Sequence, residues 1–223
     1  MTSSRNLLEA AARDSAAPGK RARNKADKLA RIRDAARGLF VENGFDGTTL
    51  RDVAARGGVG FGTLFDYASN KRDLLFLVFN PELSAALDSG HAKAVKRTDF
   101  LDQLMCLFES YYRLYGREPE IARYILRELN FYREGDQATR FMDQRTEFLR
   151  RLAELTVQAQ NRAQVSVSAP PEAIAQIVLS VFAWEVRRWL SAEPLDVKAG
   201  LQRLRGLLAL QLSGFATPPI ADR

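Results

Sequence analysis

The 223-residue chain is 46% hydrophobic and 27% charged, enough apolar material for one sizeable core or for a small domain beside a larger one. Its net charge of +6 is placed early: residues 1–80 hold 14 Lys/Arg against 9 Asp/Glu, whereas residues 81–223 hold 19 against 18. No apolar run approaches the roughly 20 residues of a membrane span, the N-terminus lacks an uninterrupted apolar signal core, and one cysteine, Cys106, excludes an internal disulfide framework. The expectation is a cytoplasmic protein with no membrane partner.

Residues 1–24 read as a flexible basic tail, with a short apolar patch at Leu7–Ala12 and a Pro18-Gly19 break. Lys20, Arg21, Arg23, Lys25 and Lys28 follow within nine positions. Such a run is either a solubilising surface or an arm that tracks DNA phosphates or enters the minor groove, and its neighbours favour the arm. From Lys28 to Asn43, the residues Leu29, Ile32, Ala36, Leu39 and Phe40 recur at helical spacing, and Asn43-Gly44 ends the helix.

Thr48 to Lys71 carries the strongest signal. Thr49 is placed to cap a short amphipathic helix, with Asp52 three residues on as in a capping box, and Leu50, Val53 and Ala54 form its inner face. Gly58 suits a left-handed cap, and Val59 is the apolar residue that locks the turn. A second helix begins at Gly60 with Leu64 and Ala68 inward and Phe61, Gly62, Thr63, Asp66 and Tyr67 outward; Asn70 caps a third. Helix, glycine turn and helix make the device that lays its second helix in the DNA major groove. The glycines miss the spacing of a phosphate loop, and no strand pattern precedes them.

The ordered set Ile32, Ala35-Ala36, Leu39-Phe40, Gly44-Phe45, Thr48-Thr49, Val53-Ala54, Gly58-Val59, Gly62-Thr63-Leu64, Lys71 and Leu74-Leu75 resembles the N-terminal domain of the TetR family of transcriptional regulators over residues 29–79. The resemblance implies a homodimer on a palindromic double-stranded DNA operator, most often a repressor released by a small-molecule effector. It places Arg51, Gly62, Thr63 and Lys71 at the DNA, with Lys71 holding a phosphate; Thr49, Phe61, Phe65 and Tyr67 complete the candidate DNA-binding set, Phe61 as a reader of a thymine methyl. Phe65 stands where a phosphate-binding tyrosine is usual, and Gly60 stands where a serine-type cap is usual, so Tyr67 and the basic arm are expected to carry more of the affinity.

After Lys71 a helix continues to Phe79 and meets Pro81, where a kink or break is expected near the route between head and body. Helices are then expected over 98–115, 119–131, 136–161, 170–190 and 195–214, with breakers between them and only a weak strand pattern at Val165-Ser166-Val167. The fold class is all-α. Its parts are the tail 1–24, a helix-turn-helix domain 25–72, a helical effector-binding and dimerisation domain 73–215, and a C-terminal tail 216–223.

The chain offers little for catalysis or metal binding. His91 is the single histidine, read here as a surface loop residue, and no catalytic residue, metal site or cofactor is expected. Cys106, among Leu104, Met105, Leu107 and Phe108, is expected to be a buried thiol. Phe108, Tyr111, Tyr112, Tyr115, Phe131 and Phe141 are candidates to line an apolar effector pocket with hydroxyl handles, although ordinary core accounts for any one of them. The last two helices carry more apolar surface than one flank of a monomer needs. By resemblance they form the dimer bundle, with Phe182, Trp189, Leu201, Leu204 and Leu208 at the interface. The rival readings are an architectural DNA-binding or protein-interaction module without effector and, further off, an all-α enzyme.

Overall fold

A computed structural model describes residues 19–128 and 131–214. Tail residues 1–18 and the C-terminal tail 216–223 lie outside the described residues, whereas Lys20–Asn24, expected as tail, are helical. Among the described residues there are nine helices and no strand: α1 (Lys20–Gly47), α2 (Leu50–Arg56), α3 (Phe61–Leu64), α4 (Lys71–Ala94), α5 (Phe100–Arg117), α6 (Pro119–Glu128), α7 (Asp136–Asn161), α8 (Pro171–Leu190) and α9 (Val197–Gly214). None of these helices is long and apolar enough to cross a membrane.

Helix α1 buries Ile32, Ala35, Ala36, Leu39 and Phe40 at the expected spacing. It breaks at Gly44, whose φ of 70° and ψ of 170° an L side chain would resist. The Thr48 hydroxyl then lies within bonding distance of the carbonyls of Leu39 (3.0 Å) and Gly44 (2.8 Å), which pins the residue after the helix back onto α1.

Helix α4 is the axis of the molecule. Six consecutive residues, Leu74 to Phe79, are buried, so this segment is enclosed on every side. Helix α1 covers its start, and α5 and α7 cover its length. At about 1.5–3 kcal/mol for each fully buried large apolar side chain, that segment alone makes head and body hard to separate. The helix runs unbroken through Pro81 to Ala94, contrary to the expected kink or break. Pro81 lies on the exposed side, while Leu83, Leu87, Gly90 and Ala94 keep the far end packed, so one lost N–H bond is locally tolerated. Gly90 is required by closeness: a Cβ there would stand 2.9 Å from the Leu107 Cα on α5.

Two smaller expectations are corrected. His91 sits in the last turn of α4, not in a loop, and Cys106 is half-buried because its side of α5 lies at the margin of the core. Val165–Val167 belongs to the turn between α7 and α8. In the body α7 packs on α4 and α8, and α9 closes the bundle against α5 and α8.

Candidate DNA interface and effector cavity

The head is built by short-range chemistry. The Thr49 hydroxyl accepts the Asp52 backbone N–H (3.2 Å), and the Asp52 carboxylate accepts from the Thr49 backbone N–H (3.3 Å) and hydroxyl (2.6 Å), a complete capping box. Gly58 has a φ of 59°, Val59 donates its N–H to the Ala54 carbonyl (3.0 Å), and Arg31 on α1 donates to the Gly58 carbonyl (3.3 Å). The turn is thus fixed from both sides. Leu64 and Ala68 are buried beneath α3, as expected, and Phe61, Gly62, Phe65 and Asp66 face outward with Thr63 half-buried.

On that outer surface Phe61 is 44% exposed and meets Phe65 edge to face at 5.2 Å. The Arg51 guanidinium lies 5.6 Å from the Phe61 ring, which holds the charge of α2 beside α3. A Cβ at Gly62 would meet nothing within 4 Å, so its openness is toward solvent. The Tyr67 hydroxyl donates to the Lys25 carbonyl (3.4 Å), bringing the basic part of α1 alongside α3.

Lys71 departs from its expected role. Its ammonium donates to the carbonyls of Phe45 (2.9 Å), Asp46 (3.2 Å) and Thr48 (3.0 Å) and stands 4.6 Å from the Phe45 ring. Those three bonds take every donor of the group, so Lys71 ties the end of α1 to the start of α4 instead of presenting its charge for a phosphate.

Behind the head, α4, α5, α6, α7 and α8 line a half-open cavity of about 130 Å³. Leu83, Leu126, Phe141, Phe148, Leu179 and Phe182 supply apolar wall, and Tyr111, Tyr115, Gln144, Arg145 and Arg187 supply polar groups. Burial pushes the Tyr111 and Tyr115 hydroxyls above their ordinary range, so both stay neutral; the Tyr111 hydroxyl donates to the Leu83 carbonyl (3.4 Å), which leaves Tyr115 as the open donor.

Three of the six aromatic candidates, Tyr111, Tyr115 and Phe141, line this space. Phe108 stands behind it, stacked on Phe182 at 4.4 Å. Tyr112 points to the other side of α5, 4.6 Å from Trp189, because it lies about 100° around the helix from Tyr111. Phe131 falls beyond the end of α6 and is 88% exposed. Phe148, grouped with Phe141 among the aromatics of this helix in the sequence, also lines the space, whereas Gln144 and Arg145 were not singled out, although their three- and four-residue spacing from Phe141 signals a shared face of α7.

A buried carboxylate joins head and cavity wall. Asp73, in the first turn of α4, accepts from the Ser69 N–H and hydroxyl (3.0 Å each) and from the N–H groups of Gln137 (3.0 Å) and Ala138 (3.2 Å) at the start of α7. Around it Asn70 donates to the Tyr132 hydroxyl (2.6 Å), and Gln137 donates to the Tyr67 carbonyl (3.2 Å). Asp73 therefore caps a helix that is not its own, one turn before Phe141 enters the cavity.

The dimer candidates are mostly interior. Leu204 and Leu208 are buried within the protomer, Phe182 lines the cavity, and Trp189 packs on Tyr112 with its indole N–H donating to the Asp196 carbonyl (2.9 Å). Leu201 is half-buried. The outward apolar residues are others: Ile177 and Trp184 on one face of α8, with the half-buried Val181 between them, and Leu210 on α9, with Trp184 and Leu210 each 72% exposed. The stripes are as wide as expected, but α5 takes the side assigned to a partner.

Fold and site together define a class: a helix-turn-helix head continuous with a helical body that holds a cavity. Residues 32–78 match the family model for bacterial regulatory proteins, tetR family, and the head is a TetR-family domain. No curated protein matches the chain. Among solved structures, FadR from Thermus thermophilus, a TetR-family repressor in complex with lauroyl-CoA, has a TM-score of 0.67 at 20% identity, over 87% of this chain and 98% of its own. The regulator FadR from Bacillus subtilis, in complex with stearoyl-CoA, has a TM-score of 0.66 at 18% identity, over 80% and 96%. FadR from Bacillus halodurans, a fatty acid degradation regulator, has a TM-score of 0.65 at 21% identity, over 82% and 97%. At these identities the likeness is one of fold.

Proposed function

We propose that the protein is a TetR-type transcriptional repressor that binds a palindromic operator as a homodimer and leaves it when a small amphipathic effector fills the cavity. The observation that carries this reading is the surface around α3. Ile32 belongs to the core-facing stripe of α1, and the positions before it on that stripe, at intervals of four and three, are Lys28, Lys25 and Arg21. Where α1 outruns the head, its inner face therefore becomes cationic. The Tyr67 hydroxyl holds that stretch beside α3, so a positive strip adjoins a helix that offers Phe61 and Gly62 outward with Thr63 half-buried beside them. Phosphate-tracking charge next to a groove-reading helix is what DNA binding requires.

Two of the relatives carry acyl-CoA, which supports an effector of acyl type for this cavity. The test is a footprint on DNA upstream of the chain's own coding sequence, with affinity measured across salt concentration. A symmetric protected site is expected, together with a steep salt slope. That slope should fall by about 3 when Arg21, Lys25 and Lys28 are all changed to Gln, near 0.9 for each phosphate no longer neutralised. Equal affinity for that fragment and for unrelated DNA would sink the repressor reading.

A further inference from the structure

The cavity combines features that together select a ligand by charge and by size. No acidic side chain lines it, yet two arginines do. The Arg187 guanidinium donates to the carbonyls of Ala183 (2.7 Å) and Leu126 (3.3 Å), which fixes it as part of the wall. Arg145 makes no hydrogen bond or ion pair among the described residues, although its neighbours on α7, Arg150 and Arg151, both pair with Glu147. The Tyr115 hydroxyl also has no partner among the described residues, on a side chain only 3% exposed. Gln144 donates to the Asn80 carbonyl (3.0 Å), and its buried Oε1 is an unanswered acceptor that places the negative end of a ligand toward Arg145 and Tyr115, not toward Gln144. Donors beside apolar walls, with no carboxylate to answer the charge, leave a cation that gains most from an incoming anion.

Size sets the second limit. Apolar cavities of about 150 Å³ hold a benzene-sized molecule, so about 130 Å³ accommodates roughly six non-hydrogen atoms. A twelve- or eighteen-carbon chain exceeds this space and would have to displace a wall residue such as Phe141 or Phe148 or run out through the open mouth.

We infer that the effector is a short acyl compound: an apolar group of about six carbons lying among Phe141, Phe148 and Phe182, with its negative end on Arg145 and Tyr115. The negative charge comes either from a free carboxylate or from the phosphates of a coenzyme A thioester at the cavity mouth. This inference rests on the effector reading above and narrows it to one chemical class.

The experiment titrates the full-length protein with hexanoate, hexanoyl-CoA, coenzyme A, hexan-1-ol, hexylamine and dodecanoate, and repeats the series with Arg145→Met and Tyr115→Phe. Hexanoate or hexanoyl-CoA should bind at least tenfold more tightly than hexan-1-ol, and whichever is tighter identifies the source of the charge. Arg145→Met should bring acid and alcohol within threefold of each other while leaving the alcohol's affinity and the thermal unfolding midpoint unchanged. Tyr115→Phe should weaken the acid by a smaller factor. Hexylamine or hexan-1-ol binding as well as the acid, dodecanoate binding better than hexanoate, coenzyme A matching hexanoyl-CoA, an unaltered ratio in Arg145→Met, or no binding by any compound would each overturn the assignment. If hexanoate binds through Arg145 but leaves operator affinity unchanged, the ligand class stands and the regulatory reading falls.

Discussion

Lys71 shows how one residue can keep its place in a motif and do a different job there. An ammonium within bonding distance of three carbonyls offsets the partial negative charge at the frayed end of α1, and no donor remains for a phosphate. Lys71→Met should therefore cost about 2 kcal/mol of stability, the scale of hydrogen bonds to a charged group, while the salt slope of DNA binding stays at its wild-type value. Urea unfolding and a salt titration read the two effects separately, and a slope lowered by about 1 would return the lysine to the phosphate. His91 gives a second test at this scale. Burial first, and then the positive charge of Arg151, lower its pKa from the ordinary 6.5. The unfolded chain then takes up this proton more readily, so this stability is complete above the ordinary value and falls as pH drops through the folded one. As the only histidine, it is the side chain whose ordinary pKa lies near 6.5, and the lowered folded value puts the window below about pH 6.5. The unfolding midpoint should fall slightly over that window in wild type and stay flatter in His91→Gln; parallel curves would refute the assignment.

At the scale of elements, what was legible in the sequence was what is decided locally. Thr49, Asp52, Gly58, Leu64 and Asn70 act on groups within a few residues, and each occupies its expected role in the fold of the head. Asp73 was legible only as a favourable first-turn carboxylate, because its main partners, Gln137 and Ala138, lie more than sixty residues away. The same limit separates Tyr111 and Tyr115, which face the cavity, from Tyr112, which faces Trp189. Helical spacing groups the residues, but only packing says what each group meets. The bonds at Asp73 also give α7 a direct link from cavity to head beside that of α4, since α7 carries Phe141, Gln144 and Arg145 and starts against Ser69 and Asp73. Gly135 sits at that joint with a φ of 93°, and a Cβ there would stand 2.4 Å from the Ser69 hydroxyl and 2.5 Å from the Asp73 carboxylate. Gly135→Ala should displace the start of α7 from the head, with about 1–3 kcal/mol of strain. Effector-free operator affinity should change by at least fivefold while effector binding to the free protein changes less. Equal wild-type values for operator affinity and for the unfolding midpoint would show that the joint does not bear on the head.

For the whole molecule the deciding surface is the one that would make two heads act on one operator. The proposed bundle needs an apolar face that the protomer leaves uncovered, and Leu204 and Leu208 do not provide it, being enclosed against α5 and α8. Ile177, Val181 and Trp184 recur at four and three residues along α8, and Leu210 adds to them from α9. The two helices are held together by Glu185, which is buried and accepts from Arg188 (2.9 Å) and Arg203 (3.0 Å), so a partner would meet a fixed pair. A large aromatic side chain at 72% exposure is the kind of anchor that dominates an interface, typically worth about 2 kcal/mol or more on truncation. Two recognition helices read one palindrome only when the dimer sets them about one turn of DNA apart, roughly 34–36 Å, or a compatible multiple. Trp184→Glu combined with Leu210→Glu should thus give a folded monomer with a near wild-type unfolding midpoint and at least a hundredfold loss of operator affinity. Leu204→Glu with Leu208→Glu places two charges in the protomer's own interior and should fail to fold instead. Sedimentation with circular dichroism distinguishes the outcomes, and a Trp184→Glu, Leu210→Glu protein that remains dimeric would place the interface on another face.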